Sequence, residues 1–204
     1  MGKGGFMVVK DDNIFPGQEI MGEEIKKRLR RCGKNVKIYP LAKIADPHMV
    51  EIGDNCIIDD YTFIEGGKGI KLGKYVHISC FSSIIGGGTL EMGDFSGLSA
   101  GCRIITGSDD FSGRSMTNPC VPLRYKPFCG KGYVKIGRHT ILGTNTIVHM
   151  NVTIGEGCAT GSNTLVTKDL EPWGIYIGTP AKRAKDRKMD LLEIEKELNR
   201  GSID

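Results

Sequence analysis

Aliphatic residues recur every six positions along most of the chain. The series Ile52, Ile58, Ile64 restarts as Leu72, Ile78, Ile84 and again as Met92, Leu98, Ile104. From Ile136 it runs unbroken through Leu142, Val148, Ile154, Thr160 and Val166, with Thr160 as its one polar member. Four residues after each anchor stands a small or β-branched residue, as at Cys56, Thr62, Val76, Ser82, Ser96, Cys102, Thr140, Thr146 and Cys158; Lys68 and Leu170 depart from this. Each such residue lies two before the next anchor, so in an extended strand the two share a face. A step of six cannot be helical, because it puts successive anchors on opposite sides of a 3.6-residue turn. The pattern therefore predicts short strands, each with one buried face.

The anchors also carry a longer period. The phrases beginning at Val50, Ile70 and Leu90 are 20 residues apart, and those beginning at Val134 and Val152 are 18 apart. Three six-residue strands make one coil, so the chain is expected to be an all-β solenoid, a triangular prism wound from parallel strands. Each coil buries its aliphatics on its neighbours, and stacking supplies the stability. An earlier coil in the same register uses Cys32, Ile38 and Ile44. Glycine follows the anchor at 53, 73, 93, 137, 143, 155 and 161, where a turn of positive φ is expected.

Two features interrupt the repeat. Residues 108–132 have no period and form an excursion from the prism, and long excursions are usually functional or disordered. The apolar stripes Met21, Ile25, Leu29 and Leu191, Ile194, Leu198 predict short end helices that cap the solenoid. The expected organisation is an N-terminal segment 1–33, a solenoid 34–170, and a C-terminal segment 171–204.

Composition narrows the function classes. The 204 residues carry a formal charge of +4 with 25% charged residues, too slight an excess for wholesale nucleic-acid binding. No apolar run approaches a membrane span, and the N-terminus lacks a signal-peptide core, so a cytoplasmic protein is expected. Seven cysteines stand singly, without a CxxC pair. They read as reduced thiols, and no metal site is expected.

The hexads, followed by Val166-Thr167-Lys168-Asp169 and Gly178-Thr179-Pro180-Ala181-Lys182, resemble the hexapeptide-repeat acyltransferases. The phrasing looks most like sugar acetyltransferases of surface-polysaccharide pathways. The resemblance implies a left-handed β-helix and a homotrimer with acetyl-CoA as co-substrate in a groove between subunits. It implies N-acetylation of a nucleotide-linked amino sugar for O-antigen or capsule. The alternative is O-acetylation of a sugar hydroxyl, in the manner of galactoside or maltose acetyltransferases. A zinc hydratase of the carbonic-anhydrase type is a further rival. In sugar O-acetyltransferases of this family a His stands where the long loop leaves the prism; here that place reads Thr106-Gly107-Ser108-Asp109-Asp110. A base is then sought in Asp109, Asp110 or a His of another coil, or the acceptor is an amine that positioning alone activates. Asp109-Asp110 also reads as a loop turn. His77 is the leading histidine, because its coil leads to Gly86-Gly87-Gly88, where a substrate can approach the backbone. By the same resemblance Gly143, Gly161 and Ser162 line the pantetheine arm. Thr167, Lys168, Lys182, Arg183 and Lys185 lie where CoA's phosphates bind, unless the basic run is a solvated helix face.

Overall fold

The computed structural model describes residues 23–201. Three parallel sheets form the walls of a prism. The first face stacks Arg31–Cys32, Val50–Ile52, Gly69–Leu72, Thr89–Met92, Tyr133–Ile136 and Val152–Ile154. The second stacks Lys37–Ile38, Ile57–Ile58, His77–Ile78, Gly97–Leu98, Ile141–Leu142, Ala159–Thr160 and Gly174–Ile177. The third runs from Lys43–Ala45 to Leu165–Val166. The solenoid thus takes in Arg31, Cys32 and Gly174–Ile177, which the sequence assigned to the flanking segments.

The register is that of the hexads. Ile58 lies beside Ile78, Ile78 beside Leu98, Leu98 beside Leu142, and Leu142 beside Thr160. The earlier coil joins the same ladder, with Ile38 beside Ile58. Every anchor from Ile52 to Val166 is buried. Fully burying one Leu or Ile contributes about 1.5–3 kcal/mol, so each coil gains most of its stability from the coils on either side. Thr160 breaks the aliphatic pattern because its hydroxyl is used: it accepts from the Gly143 amide at 3.0 Å and meets the Thr146 hydroxyl at 2.8 Å.

The corner glycines do not adopt positive φ. That conformation falls two residues later, on Asn55, Tyr75, Phe95, His139, Asn145 and Asn163. The glycines serve contact between coils instead: a Cβ on Gly53 would sit 2.5 Å from the Gly73 carbonyl oxygen, inside any tolerable contact. The constraint is therefore steric rather than conformational.

Residues 108–132 leave the prism on a two-stranded antiparallel stem, Gly107–Ser108 with Gly130–Lys131. The strands on either side stack directly, Leu90 beside Val134, so the excursion leaves no gap. Helix α1 is Glu23–Arg28, and Ile25 and Leu29 pack against the core; Met21 lies outside the described residues. Helix α2 is Leu191–Gly201 and has no buried residue. It does not cap the solenoid. Glu195 ties it to the side of the prism, bonding Arg138 and, at 2.8 Å, His139 Nε2. The end of the second face is covered by Lys182–Asp186, an antiparallel strand with every residue exposed. The basic run is therefore a strand, not a helix face, and its charges blunt an open sheet edge.

Candidate active site

The second face carries the groove that His77 lines. On it, the outward residue before each anchor reads Lys37, Ile57, His77, Gly97, Ile141 and Ala159. The missing side chain at Gly97 opens a groove of about 430 Å³ directly beside His77. Its floor is Gly97 and Leu98, and Ser79 and Ser99 stand at one corner. The other wall is a ladder of rings from three successive coils. Tyr75 stacks on Phe95 at 4.8 Å, and Phe95 on His139 at 5.1 Å, all three at positive φ. Aromatic residues hold that conformation only where surrounding structure enforces it. Here the corner turn does so, since Asn55, Asn145 and Asn163 share it in other coils; the C-terminal segment adds to the wall, Arg187 and Leu191 lining the groove and the Arg187 guanidinium donating to the carbonyls of His139, Gly157 and Cys158.

His77 is half-exposed in this groove, and its Nε2 lies 3.1 Å from Asp59 Oδ2. Asp59 is buried, and its Oδ1 has no partner among the described residues. The Tyr39 phenol, one coil earlier, is pushed up by its burial and then by the charges of Asp59 and Asp60. The sequence singles out His77 but not the Asp59 that pairs with it. The signal was present, because the 20-residue register puts Ile58 beside Ile78, and Asp59 and His77 flank those two anchors.

The loop carboxylates lie outside this groove and differ from each other. Asp110 accepts from the amides of Ser112, Arg114 and Ser115 and from the Ser112 hydroxyl. These donors, the Ser112 hydroxyl first, hold its carboxyl down at about 2. It organises the loop and has no capacity left for a substrate proton, so the turn reading prevails over the catalytic one. Asp109 is less committed. It accepts from the Asn118 amide at 2.8 Å and pairs with Lys126 at 3.3 Å, and its side chain stays 29% exposed. Gly86-Gly87-Gly88 is a crowded corner on the far side of the prism. A Cβ on Gly86 would strike the Gly107 backbone, so substrate has no approach there.

The residues expected along CoA are partly assembled. Gly143 and Gly161 occupy one corner of successive coils, with Ser162 exposed beside them. The Gly178–Ala181 turn packs onto that corner, the Thr179 hydroxyl donating to the Asn163 carbonyl at 3.1 Å. Lys182 and Lys185 project from the edge strand. Arg183 is already engaged: its guanidinium bonds Asp186 at 2.9 Å and the Tyr176 hydroxyl at 3.0 Å. Thr167 and Lys168 are exposed at the next corner of the coil. Of the other histidines, His139 belongs to the ring ladder, His149 is exposed, and His48 lies in a short 3-10 turn. Among the described residues no group of three or more His, Cys, Asp and Glu side chains converges as a metal site, and no helix is long and apolar enough to cross a membrane.

Relatives fit this arrangement. An Escherichia coli dTDP-4-amino-4,6-dideoxy-D-glucose acyltransferase is 36% identical over 167 residues, 81% of this chain and 86% of that protein. The chain belongs to the hexapeptide-repeat acyltransferases. Its fold is accordingly the left-handed parallel β-helix, and it is an acyltransferase. AntD, an N-acyltransferase from Bacillus cereus solved with dTDP and 3-hydroxybutyryl-CoA, superposes with a TM-score of 0.85 at 34% identity, covering 92% of this chain and 98% of AntD. An AntD variant holding dTDP-4-amino-4,6-dideoxyglucose and coenzyme A gives 0.83 at 36% identity, over 88% and 96%. A maltose O-acetyltransferase from Clostridium difficile 630, at 17% identity and TM-score 0.54 over 80% of this chain and 73% of that one, shares the fold alone. No protein-family model matches the chain.

Proposed function

We propose that this acyltransferase moves an acyl group from acyl-CoA to the amino group of a nucleotide-linked amino sugar. The observation that carries the proposal is the 36% identity to an amino-sugar acyltransferase along four-fifths of the chain. It is joined by a groove in which a histidine stands beside open space. AntD was captured with a hydroxybutyryl thioester, so the donor is written as acyl-CoA, with acetyl-CoA its simplest member. Acyl-CoA and nucleotide sugars are metabolites of the cytoplasm, which supports that location and a role in the assembly of surface polysaccharide. The CoA arm runs along the small-residue corner of Gly143, Gly161 and Ser162, with Lys182 and Lys185 near its phosphates. Arg183, paired with Asp186, leaves that set.

At the groove the sugar amine attacks the thioester carbon, and His77 takes its proton. Closing the site is the role of a neighbouring subunit in a homotrimer. One observation favours a second residue from that neighbour. AntD structures carry substitutions at a serine and at an aspartate ten positions further on. In this sequence Ser99 and Asp109 are the one Ser–Asp pair so spaced. Ser99 lines the groove, and Asp109 stands on the loop, so a neighbour's loop would bring the two together. The test is turnover of purified protein with acetyl-CoA or 3-hydroxybutyryl-CoA. The acceptors are dTDP-4-amino-4,6-dideoxyglucose and its 4-hydroxyl analogue. Acylation of the amine alone is expected; turnover of the hydroxyl sugar alone overturns the reading.

A further inference from the structure

We propose that Asp59 is a positioning residue for His77, holding the imidazole so that its Nδ1 meets the substrate amine; this rests on the acyl-transfer reading above. Asp59 stands apart from the other aspartates at the corners. Asp54, Asp60, Asp94 and Asp169 each accept a backbone amide from a neighbouring coil, those of Lys34, Leu41, Lys74 and Thr153, at 2.7–2.9 Å. They build the prism. Asp59 is only 8% exposed, and among the described residues its carboxylate bonds His77 alone. Its second oxygen is buried without a partner among the described residues. A buried carboxylate with spare acceptor capacity costs stability, and the scaffold does not use it. Its contact is instead a histidine that opens onto the groove assigned above to the substrate.

The chemistry follows from the pairing. A carboxylate accepts the Nε2–H, which leaves the lone pair on Nδ1. As the amine nitrogen bonds to the thioester carbon, its proton passes to Nδ1. The C–S bond then breaks, and the CoA thiolate leaves with that proton. Asp59 stabilises the imidazolium in between without taking the proton itself.

Steady-state kinetics on Asp59→Asn, Asp59→Glu, His77→Asn and the Asp59→Asn/His77→Asn double variant test the pairing, with Asp60→Asn as the scaffold control. Asp59→Asn is expected to lower kcat by about 10²–10⁴ with KM for acyl-CoA unchanged, the range of a lost general base. Asp59→Glu should recover part of it. In the His77→Asn background the Asp59 change should cost nothing further, since it acts through a ring no longer there. Asp60→Asn should lower the melting temperature and leave kcat intact. An equal loss from Asp59→Asn with and without His77, or a loss explained by unfolding in the melting curve, overturns the positioning role while acyl transfer stands. No turnover of any amino-sugar nucleotide by the wild type overturns acyl transfer and the pairing with it.

Discussion

Asp110 and His77 were both candidates for proton transfer, and their surroundings separate them. Asp110 has donors on both oxygens and a carboxyl held at about 2. Its folded value lies below the ordinary one of 3.8. The stability it lends the loop is therefore fully present above about pH 4 and is lost as pH falls through about 2. Amide exchange across 108–132 should stay slow down to that window and rise within it, and Asp110→Ala should give fast exchange at neutral pH. Slow exchange in the variant would show that other contacts hold the loop. His77→Asn should lower kcat/KM by about 10²–10⁴ if the imidazole is the base. A loss of a few-fold would return the weight to positioning. Sequence position alone ranked these residues only partly. A histidine beside an anchor is visible in the repeat, but the donors gathered around Asp110 depend on the loop's path, which has no period.

At the scale of the coil, the fold was almost wholly legible, because one rule of burial repeats in every turn. Ile58, Ile78 and Leu98 stack as their spacing requires. What the repeat could not specify was the sense of its exceptions. Glycine after each anchor suggested a left-handed turn, yet the turn falls on Asn55, Tyr75 or Phe95, and the glycine makes room for the next coil. Thr160 looked like a fault and is a paired hydroxyl. The end helices were visible as stripes, but a stripe does not say which surface it meets, and α2 lies along the prism rather than across its end. Leu98→Ala should cost about 2–5 kcal/mol in urea unfolding, because the coils above and below cannot close on the cavity. Thr160→Val should cost about 1 kcal/mol through its lost hydrogen bonds. Leu98→Ala with an unchanged midpoint would mean that neighbouring coils do not share their stability.

At the scale of the whole molecule, the groove beside His77 and the loop bearing Asp109 sit on different parts of one chain. If both serve one reaction, the groove of one subunit is expected to meet the loop of the next. A threefold assembly does this by its symmetry, since a head-to-tail interface that closes into a ring sets one surface of each subunit against a different surface of the next. Sedimentation should then give a trimer of 22.3 kDa chains. The sharper test is complementation. His77→Asn and Asp109→Asn are each expected to be nearly inactive as homotrimers, one lacking the groove's acceptor and the other the loop's carboxylate. When they are unfolded together and refolded as an equal mixture, some sites pair an intact groove with an intact loop. Random assembly in a closed threefold ring makes roughly a quarter of the sites complete, so activity should return to about that share of wild type. If groove and loop of the same chain formed the site, every site would carry one lesion and mixing would restore nothing. Full activity of the Asp109→Asn homotrimer would remove the loop carboxylate from the chemistry altogether, leaving His77 to act with the groove of its own chain.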